Sequence, residues 1–143
     1  QLKAFLLDTD LVKPADLKAA EEEAKKTKKK LADVLVEKNI ITQEQLAKLQ
    51  AYILGIPYIN LEKEKVPYEV LQIIPEPLAR KHNIAAYRKK GRELEVAMLD
   101  PEDLQTIEFI KKKTNLKILP RLTTKKSIQA VLKQYQKSLK AEF

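Results

Sequence analysis

His82 is the single histidine in the chain, and imidazole is the side chain that ordinarily titrates nearest neutral pH. Proton transfer at His82 would need a nucleophile, an orienting acid or a metal, and no Cys, Ser or acid stands at triad or ligand spacing from it. A surface or helix-end position is therefore expected for it. Asp100 and Asp103 are the carboxylates best spaced for acid–base work. Asp100-Pro101-Glu102-Asp103, however, reads as a helix start, with an N-cap Asp, then Pro and acids in the first turn. Ser127 and Ser138 lie outside any G-x-S-x-G elbow. The absence of Cys excludes a disulfide framework, thiolate metal ligands and a cysteine nucleophile, and one His leaves no zinc cluster to build. Two glycines, Gly55 and Gly91, cannot assemble a G-x-x-x-x-G-K-[ST] phosphate loop or a three-glycine dinucleotide fingerprint. The chain is not expected to be an enzyme by itself, and no catalytic or metal residues are assigned.

The remaining chemistry is electrostatic. The chain holds 28 Lys and Arg against 20 Asp and Glu, a formal net charge of +8. Three basic runs, residues 25–30, 88–92 and 111–113, are of the kind that neutralises phosphates. Local structure offers another account of each. Lys25 and Lys26 follow Glu21-Glu22-Glu23 at helical pairing distance; residues 89–92 read as a hairpin tip, and residues 111–113 as a helix end. Tyr87 is the lone candidate for base stacking. A solvated charged surface is the expectation. Nucleic-acid binding through the more basic second half is a third-ranked reading.

The elements that must position these groups fall into two parts. A hydrophobic fraction of 44% and a charged fraction of 34% with mixed signs suit a folded chain of 143 residues. No apolar run approaches the roughly 18 residues of a membrane span, and no signal-peptide pattern is present. The start at Gln1 and the Lys-rich helical end read as a cytoplasmic piece of something longer. Residues 1–55 carry 10 Lys against 9 acids and have almost wholly helical apolar spacing. Residues 56–143 carry the rest of the basic excess and mix strand and helix patterns. The expected fold class is α+β: a helical subdomain, residues 1–55, then a small α/β subdomain, residues 56–143, with a roughly four-stranded sheet. Its expected order is strand 58–61, helices 67–74 and 76–82, strand 84–89, a turn at Lys90-Gly91-Arg92, strand 93–99, helix 101–113, strand 116–122 and helix 125–140.

The first subdomain contains a repeat. A shift of 29 positions lays residues 1–24 on residues 30–53. Leu2, Leu6 and Leu17 then meet Leu31, Leu35 and Leu46, while Phe5, Leu7, Leu11, Val12 and Ala20 meet Val34, Val36, Ile40, Ile41 and Leu49. Each copy reads as a short helix, a break at Asp10 or Asn39, and a second helix. Asp and Asn tolerate the left-handed conformation that such a break needs. The second helices start at Pro14, suited to a first helical position, and behind Thr42-Gln43-Glu44-Gln45, a capping box.

Three segments carry a more specific likeness: Leu54-Gly55-Ile56-Pro57-Tyr58, Ile74-Pro75-Glu76-Pro77-Leu78-Ala79-Arg80 and Val96-Ala97-Met98-Leu99-Asp100-Pro101-Glu102-Asp103-Leu104. With residues 28–53 before them, they resemble the N-terminal domain of type II secretion and type IV pilus assembly ATPases, of the MshEN-like, cyclic di-GMP receptor type. The resemblance covers nearly the whole chain. It implies a non-catalytic regulatory or docking domain that couples a hexameric traffic ATPase motor, beyond Phe143, to an inner-membrane platform protein. It also implies a cytoplasmic location, associated with the inner membrane through partners.

Some members of that family bind cyclic di-GMP through tandem motifs of the form R-L-G-x-x-L-V-x-x-G, six residues, L-x-x-x-L-x-x-Q. The repeat is similar to those motifs and in register with them. The resemblance therefore points to Gln1, Leu2, Leu6 and Leu17, and to Lys30, Leu31, Leu35 and Leu46, as the candidate ligand positions. The polar determinants differ: Arg is replaced by Gln1 and Lys30, the two glycines by Lys3 and Asp10 in one copy and Ala32 and Asn39 in the other, and the closing Gln by Ala24 and Ile53. An Arg fork reads guanine and phosphate through paired, planar hydrogen bonds that neither Lys nor Gln reproduces. Cyclic di-GMP reception is thus the alternative reading, below docking, and no cofactor is expected.

Overall fold

The computed structural model describes the backbone from Leu2 to Glu142 and side chains as far as Gln136. Gln1 and the Ser138 side chain lie outside the described residues. The chain divides into two compact units, Gln1–Gly55 and Ile56–Phe143.

The first unit is four helices: α1 (Leu2–Asp8), α2 (Pro14–Thr27), α3 (Leu31–Glu37) and α4 (Gln43–Leu54). α3 and α4 begin 29 residues after α1 and α2, the offset at which the apolar positions coincide. The breaks keep the same offset, with Asp10 at φ 54° and Asn39 at φ 59°. Helix starts follow their local chemistry. Pro14 opens α2, and at α4 Thr42 Oγ1 accepts the Gln45 amide at 3.0 Å while Gln45 Oε1 accepts the Thr42 amide at 2.9 Å. α1 packs on α4 and α2 packs on α3, so each copy's first helix lies against the other copy's second. The core is built between the copies. Leu6 and Leu35 are fully buried, and the equivalent pairs Val12 and Ile41, Leu17 and Leu46, and Ala20 and Leu49 are buried with them.

The second unit places α5 (Tyr68–Leu71) and α6 (Glu76–His82) before a hairpin of β1 (Ile84–Lys90) and β2 (Glu93–Met98). α7 (Leu104–Thr114) then crosses over to β3 (Lys117–Leu122), and α8 (Lys125–Glu142) follows. β1 pairs antiparallel with β2, with a bulge between Ala86 and Arg88, and β2 pairs parallel with β3. Burial of the consecutive residues Ile84, Ala85, Ala86 and Tyr87 shows that this end of β1 is covered on both faces.

Three boundaries differ from the sequence expectation. The sheet has three strands, not four: Tyr58 makes an isolated parallel bridge to Leu122, through Ile59 N–H to the Leu122 carbonyl and Leu122 N–H to the Pro57 carbonyl, each 3.0 Å. The ladder goes no further because Asn60 Oδ1 takes the Glu62 amide at 2.8 Å and Ser127 Oγ takes the Leu61 amide at 2.7 Å. α5 stops at Leu71 because Ile74 precedes Pro75, and a residue before proline is driven out of the helical region. α7 starts behind Asp103, not Asp100. Asp100 closes a tight turn, its Oδ1 accepting the Glu102 amide at 3.1 Å, while Asp103 accepts the Thr106 amide at 3.2 Å as the N-cap.

Ser127 is fully buried, and its hydroxyl is what the buried Leu61 amide donates to. Ser127→Ala orphans that amide. We expect a loss of about 1–3 kcal/mol in urea unfolding, with the midpoint lowered and the slope unchanged.

Candidate functional site

The candidate ligand positions separate into a buried set and a surface set. Leu6 and Leu35 have no exposed surface, Leu17 and Leu46 are also buried, and Leu2 and Leu31 lie half-buried against the same core. These six leucines hold α1 to α4 together and present little to a ligand. Lys30 is exposed at the N-cap of α3 in an extended conformation, and its side chain makes no capping bond. Gln1 lies outside the described residues.

The surface that the leucines support differs between the copies. In the first, a groove of about 410 Å³ runs beside α1 and α2, lined by Lys3, Leu7, Pro14, Leu17, Lys18, Glu21, Glu22 and Lys25. Lys3 reaches across it to Glu21, with Nζ 3.2 Å from both carboxylate oxygens. Lys3 stands where the family motif has its first glycine, and Glu21 where it has its last leucine. An ion pair between two side chains thus bridges α1 and α2 at a position the motif keeps apolar and small. In the second copy the same positions are Ala32 and Gln50, which cannot form it. The second copy is tied from its flanks: Lys29 to Glu37 at 3.1 Å, and Lys38 to Glu23 at 3.7 Å. These pairs are exposed, so each adds little to stability but sets which groups a ligand would have to displace. Across the copies, the Phe5 and Tyr52 rings meet edge to face at 5.4 Å, and Tyr52 remains 72% exposed.

Two polar clusters in the second unit were not visible in the sequence. His82, at the end of α6, has Nδ1 3.3 Å from Thr106 Oγ1, and Thr106 Oγ1 donates to Asp103 Oδ2 at 2.6 Å. The hydroxyl proton is committed to the carboxylate, so Thr106 can act only as an acceptor from His82. A base-activated nucleophile needs the opposite polarity. The two Thr106 hydrogen bonds, from side chain and then backbone, hold the Asp103 carboxyl below its usual range, with His82 adding a smaller pull. This cluster ties the end of α6 to the start of α7. In the second cluster, Tyr87 donates to Glu95 Oε1 at 3.0 Å, and Glu95 also faces Arg121 at 3.4 Å and Arg88 at 3.7 Å. Burial first, then the Glu95 carboxylate, pushes the Tyr87 phenol up. Tyr87 is 9% exposed, so the one sequence candidate for base stacking is committed to the interior.

Among the described residues, no group of three His, Cys, Asp or Glu could hold a metal ion, and no helix is long and apolar enough to cross a membrane.

The MshEN domain family matches residues 54–142. The chain belongs to that family. Over 94% of its length the MshEN domain is 26% identical to the type IV pilus assembly ATPase PilB of Myxococcus xanthus, and 28% identical to PilB of Thermus thermophilus. It spans 24% and 16% of those two relatives. Among solved structures, MshE with cyclic di-GMP superposes with a TM-score of 0.76 at 25% identity, covering 94% of this chain and 98% of that one. The N-terminal domain of XpsE shares the fold, with a TM-score of 0.62 at 18% identity over 93% of this chain and 92% of that one. The domain is thus of the kind found at the N-terminus of secretion and pilus ATPases. The α+β class read from the sequence stands, with a three-stranded sheet.

Proposed function

We propose that this MshEN domain is a non-catalytic regulatory and docking domain of a type II secretion or type IV pilus assembly ATPase. It couples a motor in the same protein to the cytoplasmic part of an inner-membrane platform protein. The observation that carries this reading is coverage: nearly the whole chain aligns with pilus assembly ATPases while spanning a quarter or less of their length. The clusters at His82 and Tyr87 support a non-catalytic role, because each ends in a saturated carboxylate and not an activated nucleophile. On this reading the protein works in the cytoplasm and reaches the inner membrane through its partner. The exposed face of α4, with Tyr52 against Phe5, is the most evident aromatic anchor for that partner. Immobilised residues 1–143 should retain a cytoplasmic platform domain from a purified set, and Tyr52→Ala should weaken retention by about tenfold or more. Retention of none of the platform domains would end the docking proposal.

A second reading, reception of cyclic di-GMP, is favoured by the likeness to MshE solved with that ligand. A duplicated platform also suits a ligand with two equivalent halves. Against it stand Gln1 and Lys30 in place of the paired arginines, and the Lys3–Glu21 pair in the first groove. Calorimetry with cyclic di-GMP at high micromolar concentration is expected to give no binding heat. Binding that is abolished by Lys30→Ala would raise this reading above docking.

A further inference from the structure

Two basic runs that are apart in the sequence, residues 88–92 and 111–113, meet at one end of the second unit, and Lys117 joins them. β1 ends at Lys90 and β2 begins at Glu93, so the hairpin tip carries Arg88, Lys89, Lys90 and Arg92. β3 runs parallel to β2 with Lys117 opposite Glu93, and the Lys117 amide donates to the Arg92 carbonyl at 2.7 Å. α7 ends at Thr114, just before β3, and so delivers Lys111, Lys112 and Lys113 to the same end. Neighbouring strands lie about 4.8 Å apart, which puts the Lys90, Glu93 and Lys117 backbones within about 10 Å. That is close to one Debye length in physiological salt, so the charges act as a single field.

Little compensates them. Glu93 pairs with Lys117 at 3.9 Å, Glu95 is shared by Arg88 and Arg121, and Glu108 lies one turn before Lys112 on α7. Among the described residues, no carboxylate lies within 4.0 Å of the amino groups of Lys89, Lys90, Lys111, Lys112 or Lys113, or of the Arg92 guanidinium. All six are exposed. Beside them Phe109 is 49% exposed, with Lys113 Nζ 5.8 Å from its ring centre.

We propose that this basic end is a contact surface for an anionic phospholipid bilayer, with the free lysines on the headgroups and Phe109 entering the interface. Three observations favour a bilayer over other polyanions. The cations with no carboxylate partner are five Lys to one Arg, point charges suited to mobile headgroups and not to the fixed paired contacts by which Arg reads phosphates. The sheet offers them no stacking platform, since Tyr87 is buried and bonded to Glu95, and Phe109 alone is short of the successive rings that single-strand binders present. Phe109, the single exposed large apolar side chain at this end among the described residues, is too little for the dry centre of a specific protein interface, but it suits a shallow headgroup insertion. This contact is direct and does not depend on the platform partner of the proposed function.

Co-sedimentation of residues 1–143 with phosphatidylglycerol-containing vesicles tests it, with phosphatidylcholine vesicles as the neutral comparison. Binding should require phosphatidylglycerol and weaken from low to physiological salt. The independent pairs Lys112→Gln/Lys113→Gln and Lys89→Gln/Lys90→Gln should each lower partitioning by about tenfold or more, while Lys18→Gln/Lys26→Gln in the first unit should stay within about twofold. Circular dichroism melts of all three pairs should overlay the parent protein. Equal binding to both vesicle types, or an equal loss in the first-unit pair, would overturn the proposal. Displacement from vesicles by duplex or single-stranded DNA at matched phosphate would also overturn it, by identifying nucleic acid as the better occupant.

Discussion

The structure depends on a backbone constraint: the chain must leave most of its helices through a residue with positive φ. Lys28, Gly55, Asn83 and Asn115 are such residues at the ends of α2, α4, α6 and α7, and Asp10 and Asn39 serve the two repeat breaks. Only two glycines are available, so Asp, Asn and Lys accept most of these positions at a cost of about 1–2 kcal/mol each. Core formation must offset that cost. At Asp10 and Asn39 it does so jointly, because the reversal there lets each copy's first helix reach the second helix of the other copy. Losing one break would disrupt both halves of the unit.

That mutual packing explains how the platform and its ligand chemistry can change separately. Leu6, Leu17, Leu35 and Leu46 are held in place by core packing between the copies, whatever the surface binds. Polar positions above them are free to vary, and here Lys3 and Glu21 have formed an exposed pair where the family motif keeps glycine and leucine. Scaffold and surface chemistry answer to different physics, apolar burial and polar recognition, so the one does not dictate the other.

Legibility of the sequence followed the same division. The repeat could be read because apolar spacing, helix starts and break residues coincide at one offset, all being local signals. The pairing of α1 with α4 could not, since local spacing says which face is apolar but not what covers it. Tyr58–Leu61 had a strand's composition, yet Asn60 and Ser127 captured the amides that a fourth strand would have needed. His82 and Thr106 are 24 residues apart, and the basic runs at residues 88–92 and 111–113 converge only through the β2–β3 register. Local sequence put the cap of α7 at Asp100, and the Thr106 bonds, from a residue further along, place it at Asp103.

The central claim is that the duplicated helical unit is a scaffold complete in itself, stabilised by packing between its copies and not by a bound dinucleotide. Native-state hydrogen exchange on the ligand-free chain tests this most directly. The account predicts that the Leu17 and Leu46 amides, at equivalent positions of the two copies, are both strongly protected, and that saturating cyclic di-GMP leaves their protection unchanged. Rapid exchange of either amide until the nucleotide is added would contradict it.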